Sequence, residues 1–240
     1  LFTHFHSDHI SALGDTNLAS WVAGRTAPLN VYGPRGVVRV VDGFNEAYAL
    51  DRTYRTMHHG SELLPPEIGA MQPQLIVSGK VVEVGEFKIT PFSVDHGPVE
   101  PAVGYRFDYR GRSVVISGDT NAVQSTAVAS RDADLLLHDA LSRPLVDAMK
   151  DAVTSVGNVR MAQVIDDILD YHADTDSLIE VAREAGVTML ALYHLVPAPA
   201  NTIVKSIFGR GLPADVRIVD DGTVFNLAAN TDAIEVVQIF

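Results

Sequence analysis

The chain has 240 residues, of which 47% are hydrophobic and 20% charged, and its formal net charge is −12. The hydrophobic content argues against a disordered chain, and the acidic balance without a Lys- or Arg-rich run disfavours a protein that binds a phosphate backbone. Cysteine is absent, so thiolate chemistry is excluded and any metal must be held by histidine and carboxylate side chains. No apolar run reaches the roughly 18 residues of a membrane-spanning helix, so no membrane partner is predicted.

Strand-like and helix-like segments alternate along the chain, which is typical of a layered α/β fold. In the first part, the stretch "PLNVYGPRG" predicts a short strand ending at Gly33, and the apolar spacing after it predicts a helix over residues 36–57. Residues 60–74 are rich in proline and glycine and are expected to form a loop. We therefore predict an insertion of helix and loop over residues 42–80 that acts as a lid.

The second part of the chain continues the same alternation. A helix is expected to begin at Asp174 or Thr175, whose side chains can cap it, and to end at Gly186. The other predicted elements are a strand–turn–strand unit over 75–96, a hairpin turning at Arg110-Gly111, a buried strand over 133–140, two helices over 143–171 broken near Gly157, and a buried strand ending at His194.

Histidines and an aspartate are concentrated at the start of the chain, in "LFTHFHSDHI". We expect its first residues to be the end of a buried strand, followed by a sharp turn that aims His4, His6, Asp8 and His9 at one point. Imidazole nitrogens and a carboxylate oxygen are ligands that Zn²⁺, Mn²⁺ or iron accept. A solvated polar loop is the alternative interpretation, but this spacing is improbable by chance. The pattern therefore predicts a metal site.

More candidate ligands stand at the ends of predicted strands: His96 in "FSVDH", Asp119 in "VVISGD" and His194 in "MLALYH". Gly118 permits a close approach of the turn before Asp119, and Thr120 can hydrogen-bond to that turn. Each of these residues, taken singly, could equally be structural. Because strand ends at one edge of a sheet converge, these residues are the expected additional ligands if the site holds two metal ions, for which the four residues of the opening motif are too few.

Four segments resemble the metallo-β-lactamase superfamily, and within it the branch of ribonuclease Z and the arylsulfatase-like enzymes: "THFHSDH", "SGDT", "LLLHDA" and "YHADTDSLIEVAREAGVTMLALYH". The resemblance covers the whole chain. It implies one domain over residues 1–240 with an α/β fold, a four-layer αβ/βα sandwich of two mixed β-sheets flanked by helices. Several strands precede the opening motif in that family, so the chain is expected to lack the N-terminal strands.

The resemblance also implies the cofactors and their ligands. Two divalent ions are expected, with Zn²⁺ as the first choice and Mn²⁺ or iron as alternatives. The implied ligands are His4, His6 and His96 for one ion and Asp8, His9 and His194 for the other, with Asp119 bridging the two.

The activity implied is that of a dinuclear metal-dependent hydrolase in which a metal-bridging hydroxide attacks an ester. Asp8 would orient this hydroxide and accept its proton. The leaving group needs a proton donor, for which His172 is the candidate, and Asp139 stands where ribonuclease Z relatives carry Glu and would orient His172. Capping of a helix is the alternative role of His172, and His138 is expected to be packed and hydrogen-bonded in the core.

The sequence leaves the ester open between sulfate ester, phosphodiester, lactone and β-lactam. A small ester is favoured over nucleic acid by the acidic charge, the short span between His96 and Asp119, the "LVPAPA" after His194, and the helical segment 141–171. The alternative is a ribonuclease Z-type endonuclease that processes the 3′ end of tRNA. A hypothesis of another class is an inactive metal-bearing binding module. A homodimer is also compatible with the sequence.

Overall fold

A parallel pair of strands organises the first part of the computed structural model, which describes every residue from Leu1 to Phe240. The chain divides into two units, unit 1 over Leu1–Val77 and unit 2 over Ser78–Phe240. The elements of unit 1 are α1 (Ser7–Ile10), α2 (Leu13–Val22), β1 (Leu29–Gly33), α3 (Val37–Ala47), α4 (Ala49–His59), α5 (Pro66–Gly69) and β2 (Met71–Leu75). The strand predicted to end at Gly33 is therefore confirmed as β1, and β2 pairs with it in parallel.

Three features of unit 1 differ from the sequence-based predictions. Residues 1–6 form no strand, although the amide of Phe2 donates a hydrogen bond to the carbonyl oxygen of Tyr32 at 2.8 Å. The helix predicted over 36–57 is two helices, because the backbone leaves helical geometry at Tyr48 (φ −97°, ψ 7°). Part of the predicted loop is strand β2, which accommodates Pro73 because a sheet of only two strands leaves outward-facing amides unpaired.

The opening motif of the chain rests against the core of unit 1. That core is formed by buried apolar residues of α2, α3, β1 and β2, namely Leu13, Val31, Val37, Val41 and Met71. The partly buried ring of Phe5 packs against this core. A side chain at Gly36, where φ is +117°, would place its Cβ 3.0 Å from the Phe5 ring, so both the backbone and the contact require glycine there. This contact fixes the segment that carries His4 and His6.

A seven-stranded mixed sheet forms the framework of unit 2, in the order β3-β4-β5-β6-β7-β8-β9. The strands of unit 2 are β3 (Val82–Val84), β4 (Phe87–His96), β5 (Val99–Tyr109), β6 (Arg112–Ile116), β7 (Leu135–Leu141), β8 (Met189–Val196) and β9 (Val216–Ile218), with a separate hairpin of β10 (Thr223–Leu227) and β11 (Ile234–Gln238). Neighbours from β3 to β6 are antiparallel, and neighbours from β6 to β9 are parallel. Consequently β4, β6, β7 and β8 run in one direction, and their carboxyl ends meet at one edge of the sheet.

The helices of unit 2 are α6 (Gln124–Ala129), α7 (Arg143–Ser155), α8 (Val159–Asp167), α9 (Thr175–Ala185) and α10 (Thr202–Phe208), with a 3₁₀ turn at Ile168–Asp170. The predicted break near Gly157 is confirmed between α7 and α8. Helix α9 begins after Asp174, whose carboxylate accepts hydrogen bonds from the amides of Asp176 and Ser177, and it ends at Gly186 in the left-handed conformation. None of the helices has the length and apolar character needed to cross a membrane.

The main core of unit 2 lies between the parallel strands and the helices that follow them. Its buried members include Val115 of β6, Leu136 of β7, Leu178 of α9, Leu192 of β8 and Phe208 of α10. The predicted α/β class is confirmed. The mixed sheet is the large sheet of unit 2, whereas the two strands of unit 1 are parallel.

Candidate metal centre

The candidate ligands of unit 1 are brought together within one turn of chain. His4 is fully buried, and its Nε2 lies 3.2 Å from Nδ1 of the exposed His6. The rings of His4 and His9 have their centroids 4.2 Å apart, and His9 Nε2 lies 3.4 Å from Asp8 Oδ2. The turn arises because the chain is extended at His6 (φ −64°, ψ 151°) and enters α1 directly afterwards, at Ser7. The rings of His6 and His9 therefore both lie close to the ring of His4.

Asp119 is the centre of the ligand group in unit 2. Its carboxylate is buried, and its Oδ2 lies 4.0 Å from His96 Nε2 and 3.6 Å from His194 Nε2. His96 ends β4, Asp119 follows β6 and His194 lies in β8. The common direction of these strands thus brings together three residues that are far apart in the sequence.

The turn that carries Asp119 is attached to the end of β4 by hydrogen bonds. The Thr120 hydroxyl accepts a hydrogen bond from the amide of Asp95 at 3.0 Å. It also donates a hydrogen bond to the carbonyl oxygen of Asp95 at 3.0 Å. The amide of Asn121 donates to that carbonyl as well, at 2.8 Å. Gly118 adopts a φ of +68°, which glycine reaches without steric cost. His96 and Asp119 are therefore held at a fixed separation.

His194 occupies a strained position in β8. Asp139 of β7 pairs with Tyr193 and Ala140 pairs with Leu195, so His194 is the extra residue of a β-bulge. Its φ is +44°, which is uncommon for a residue other than glycine. The strand continues to Val196, so the prediction that it ends at His194 is wrong by two residues. The bulge re-aims the imidazole towards Asp119, and such strain is frequent at functional sites.

The orientation of His96 is set by a group that the sequence does not reveal. Its Nδ1 lies 2.9 Å from the carbonyl oxygen of Tyr171, so Nδ1 carries the proton and Nε2 presents a lone pair towards Asp119. Every residue has a carbonyl group, so no side-chain pattern could have identified Tyr171 for this role. The Tyr171 ring also makes an edge contact with His96, at a centroid distance of 5.2 Å.

Asp139 and His172 form the pair that the sequence suggested. His172 Nδ1 donates to Asp139 Oδ2 at 2.8 Å, and both residues are buried. The missing methylene of Asp relative to Glu therefore does not prevent the contact. A nitrogen or carboxylate oxygen from each of His96, Asp119 and His172 lies within 4.8 Å of the others, so the pair borders the ligand group. Helix α9 is capped by Asp174 and not by His172.

Tyr193 lies beside these carboxylates as a neutral group. Burial raises the pKa of its phenol, and the negative charges of Asp139 and Asp119 raise it further. The phenol therefore remains protonated at neutral pH and adds no negative charge to a site that already holds two buried carboxylates.

The donor atoms of both units fit divalent metal ions. Two ligand atoms that each lie about 2.0–2.1 Å from one Zn²⁺ ion are separated by at most about 4 Å. The separations of 4.0 and 3.6 Å in unit 2 and of 3.2 and 3.4 Å in unit 1 all meet this limit. Imidazole and carboxylate, without thiolate, suit zinc, manganese and iron alike.

Comparison with known proteins identifies the family. Residues 1–195 match the model of the beta-lactamase superfamily domain. The chain is 36% identical over 201 residues to a ribonuclease Z of Mycobacterium bovis and 35% identical over 200 residues to one of Mycolicibacterium gilvum, with 82% of this chain aligned in both cases. The chain belongs to the metallo-β-lactamase superfamily, in its ribonuclease Z branch. It spans 67% and 65% of the length of these two relatives.

The superfamily fold is also evident in solved structures. The short form of human tRNase Z superposes with a TM-score of 0.55 at 18% identity, covering 92% of this chain and 75% of that one. At 18% identity the structural similarity is evidence for the fold alone. It confirms the metallo-β-lactamase architecture predicted from the sequence. The relatives named ribonuclease Z are hydrolases, which is the enzyme class that the sequence predicted.

Proposed function

We propose that this chain carries the catalytic centre of a ribonuclease Z-type endonuclease, which hydrolyses a phosphodiester bond at the 3′ side of precursor tRNA. The observation that carries the proposal is the arrangement in unit 2, where Asp119 stands between His96 and His194 and beside the Asp139–His172 pair. The family relationship supports the choice of substrate, since the aligned relatives bear the name ribonuclease Z.

Seven side chains would hold two divalent ions. The proposed ligands are His4, His6, Asp8 and His9 from unit 1 and His96, Asp119 and His194 from unit 2. When bound, such ions lower the pKa of a coordinated water and stabilise charge on the oxygens of an ester. We propose that both ions are Zn²⁺, with Mn²⁺ or iron as the alternatives.

The residues around the ligands would carry the protons. Asp8, with its side chain exposed, can accept the proton of the attacking water. His172 can donate a proton to the leaving oxygen from Nε2, because its Nδ1 is committed to Asp139. The buried carboxylate of Asp139 accepts the Nδ1 proton of this imidazole and so fixes its orientation. The pair therefore supports the departure of a poor leaving group such as a ribose hydroxyl.

A small ester, favoured by the sequence alone, is the weaker candidate substrate. The acidic charge of the whole chain is one of the four sequence features that favour it. Two divalent ions would supply positive charge at the point where a phosphodiester binds. The net charge of the chain therefore does not decide between a small ester and RNA as the substrate. The aligned relatives are named for a ribonuclease, which favours a phosphodiester over a sulfate ester, lactone or β-lactam.

A substrate panel tests the proposal. The metal-loaded protein is given a precursor tRNA with a 3′ trailer, an aryl sulfate, a bis-aryl phosphate and a β-lactam, with Asp119→Asn as the inactive control. We expect cleavage of the precursor at one position near the 3′ end. Faster turnover of a small ester, with the precursor left intact, would overturn the ribonuclease assignment. Two bound ions without turnover of any substrate would favour the inactive binding module instead.

A further inference from the structure

His138 is a buried titratable residue to which the proposed mechanism gives no role. It lies in β7 directly before Asp139, and its side chain is fully buried. Its Nδ1 lies 2.8 Å from the carbonyl oxygen of Asp139 and 3.0 Å from Oδ1 of the same residue. Both neighbours are hydrogen-bond acceptors, so Nδ1 carries the proton and shares it between them.

The contact completes the set of donors around Asp139. Oδ2 accepts from His172 Nδ1 at 2.8 Å, while Oδ1 accepts from the amide of Thr120 at 3.3 Å and faces His138 Nδ1 at 3.0 Å. Without His138, Oδ1 would keep only the longer bond from Thr120. The plane of the carboxylate, and with it the direction of the bond to His172, therefore depends on His138.

The second ring nitrogen of His138, Nε2, argues against a role in core packing alone. Nε2 is buried without a hydrogen-bond partner, which carries an energetic penalty that an apolar side chain at the same place would avoid. Packing alone thus gives no reason for a histidine at this position. The only polar interaction of the imidazole is the one that Nδ1 makes with Asp139.

We propose that His138 is a positioning residue that fixes the Asp139 carboxylate and, through it, the proton-donating imidazole of His172. The inference rests on the proposed function for its kinetic consequence, but the hydrogen-bonding arrangement is independent of the substrate. His138 itself touches neither the substrate nor a ligand of the ions in this scheme.

Two variants of matched shape separate positioning from packing. In His138→Asn the amide nitrogen takes the place of Nδ1 and can still donate to Asp139, whereas His138→Leu has nearly the same shape and no donor. We expect the Asn variant to keep most of kcat for the precursor RNA and the Leu variant to lose about 10- to 100-fold, with KM unchanged in both. Leu is expected to be at least as stable as Asn, since it suits an apolar core.

If His138 only filled space in the core, the kcat values of the two variants would come in the opposite order. In that case kcat would follow stability, so the Leu variant would equal or exceed the Asn variant, and the proposal would be overturned. Thr126→Val is the control for removing a buried unpartnered polar atom, because the Thr126 hydroxyl is also buried without a partner. This control is expected to leave kcat unchanged.

Proton exchange in the metal-free protein tests the positioning role of His138 without any substrate. In protein labelled with ¹⁵N-histidine, we expect slowly exchanging Nδ1 protons for both His138 and His172. The His172 proton should exchange faster in His138→Leu and remain protected in His138→Asn. If RNA is not cleaved but this pattern is found, the proposed function fails and the positioning role stands. Equal protection of the His172 proton in both variants would refute the positioning role.

Discussion

His194 Nε2 lies 3.6 Å from Asp119 Oδ2, and a β-bulge with a backbone φ of +44° is what aims the imidazole at the carboxylate. The same oxygen of Asp119 also lies 4.0 Å from His96 Nε2. A single carboxylate thus connects the ends of three strands, and this relationship makes Asp119 the residue on which metal binding should depend most.

Asp119→Asn should lose metal and activity together. The amide keeps the size of the side chain but removes the negative charge that the two imidazoles face, so we expect activity to fall by about 100-fold or more. Metal content measured by mass spectrometry should fall in parallel. The control is Asp132→Asn, at an exposed position with φ +53° that asparagine tolerates. Full metal content in the Asp119 variant would contradict the bridging role.

His172→Ala should slow the reaction while leaving the metal content unchanged. The imidazole is expected to protonate the leaving oxygen, a contribution worth about 10²- to 10⁴-fold. The loss should be large for RNA and small for bis(p-nitrophenyl) phosphate, whose leaving group needs no proton. Comparing kcat for the two substrates checks this. Because His172 borders His96 and Asp119, a fall in metal content would instead identify it as a ligand.

Much of the fold could be predicted because its signals are local. The capping residue Asp174 and the terminating Gly186 mark the ends of α9, and the hairpin turn at Arg110-Gly111 follows from turn-forming residues between apolar strands. The convergence of His96, Asp119 and His194 was also predictable, since each stands at or near the end of an apolar strand. The structure places these three together as the sequence suggested.

The remaining features depend on tertiary contacts that leave no local pattern. The helix break at Tyr48 accompanies a contact in which its ring lies over Gly14 and its phenol donates to Asp15 at 2.9 Å. The bulge at His194 depends on the register between β7 and β8, which apolar spacing does not specify. The carbonyl of Tyr171 and the position of His138 Nδ1 are likewise known only once the strands are assembled.

His194→Asn should weaken metal binding without destabilising the metal-free protein. Asparagine adopts positive φ more readily than histidine, so relief of strain should offset lost contacts and change the unfolding free energy by no more than about 1 kcal/mol. The stabilisation that added Zn²⁺ gives should shrink, because one imidazole is gone. Urea unfolding with EDTA and with Zn²⁺ measures both quantities, and His58→Asn serves as an exposed control. Undiminished stabilisation by Zn²⁺ would remove His194 from the ligand set.

Asp174→Ala should destabilise unit 2 by about 1 kcal/mol at pH 7, because the amides of Asp176 and Ser177 lose their acceptor. Burial raises the pKa of Asp174, but hydrogen bonds from Ser177 and Asp176 and the charge of Arg143 outweigh burial and lower it below 3.8. The charged form is thus stabilised by folding, fully above pH 3.8 and decreasingly as pH falls through the folded-state pKa. Urea unfolding at pH 7 and pH 3 should show the difference from wild type shrinking in acid. Asp174→Asn, which keeps an acceptor, should lose less at pH 7; equal losses would contradict the cap.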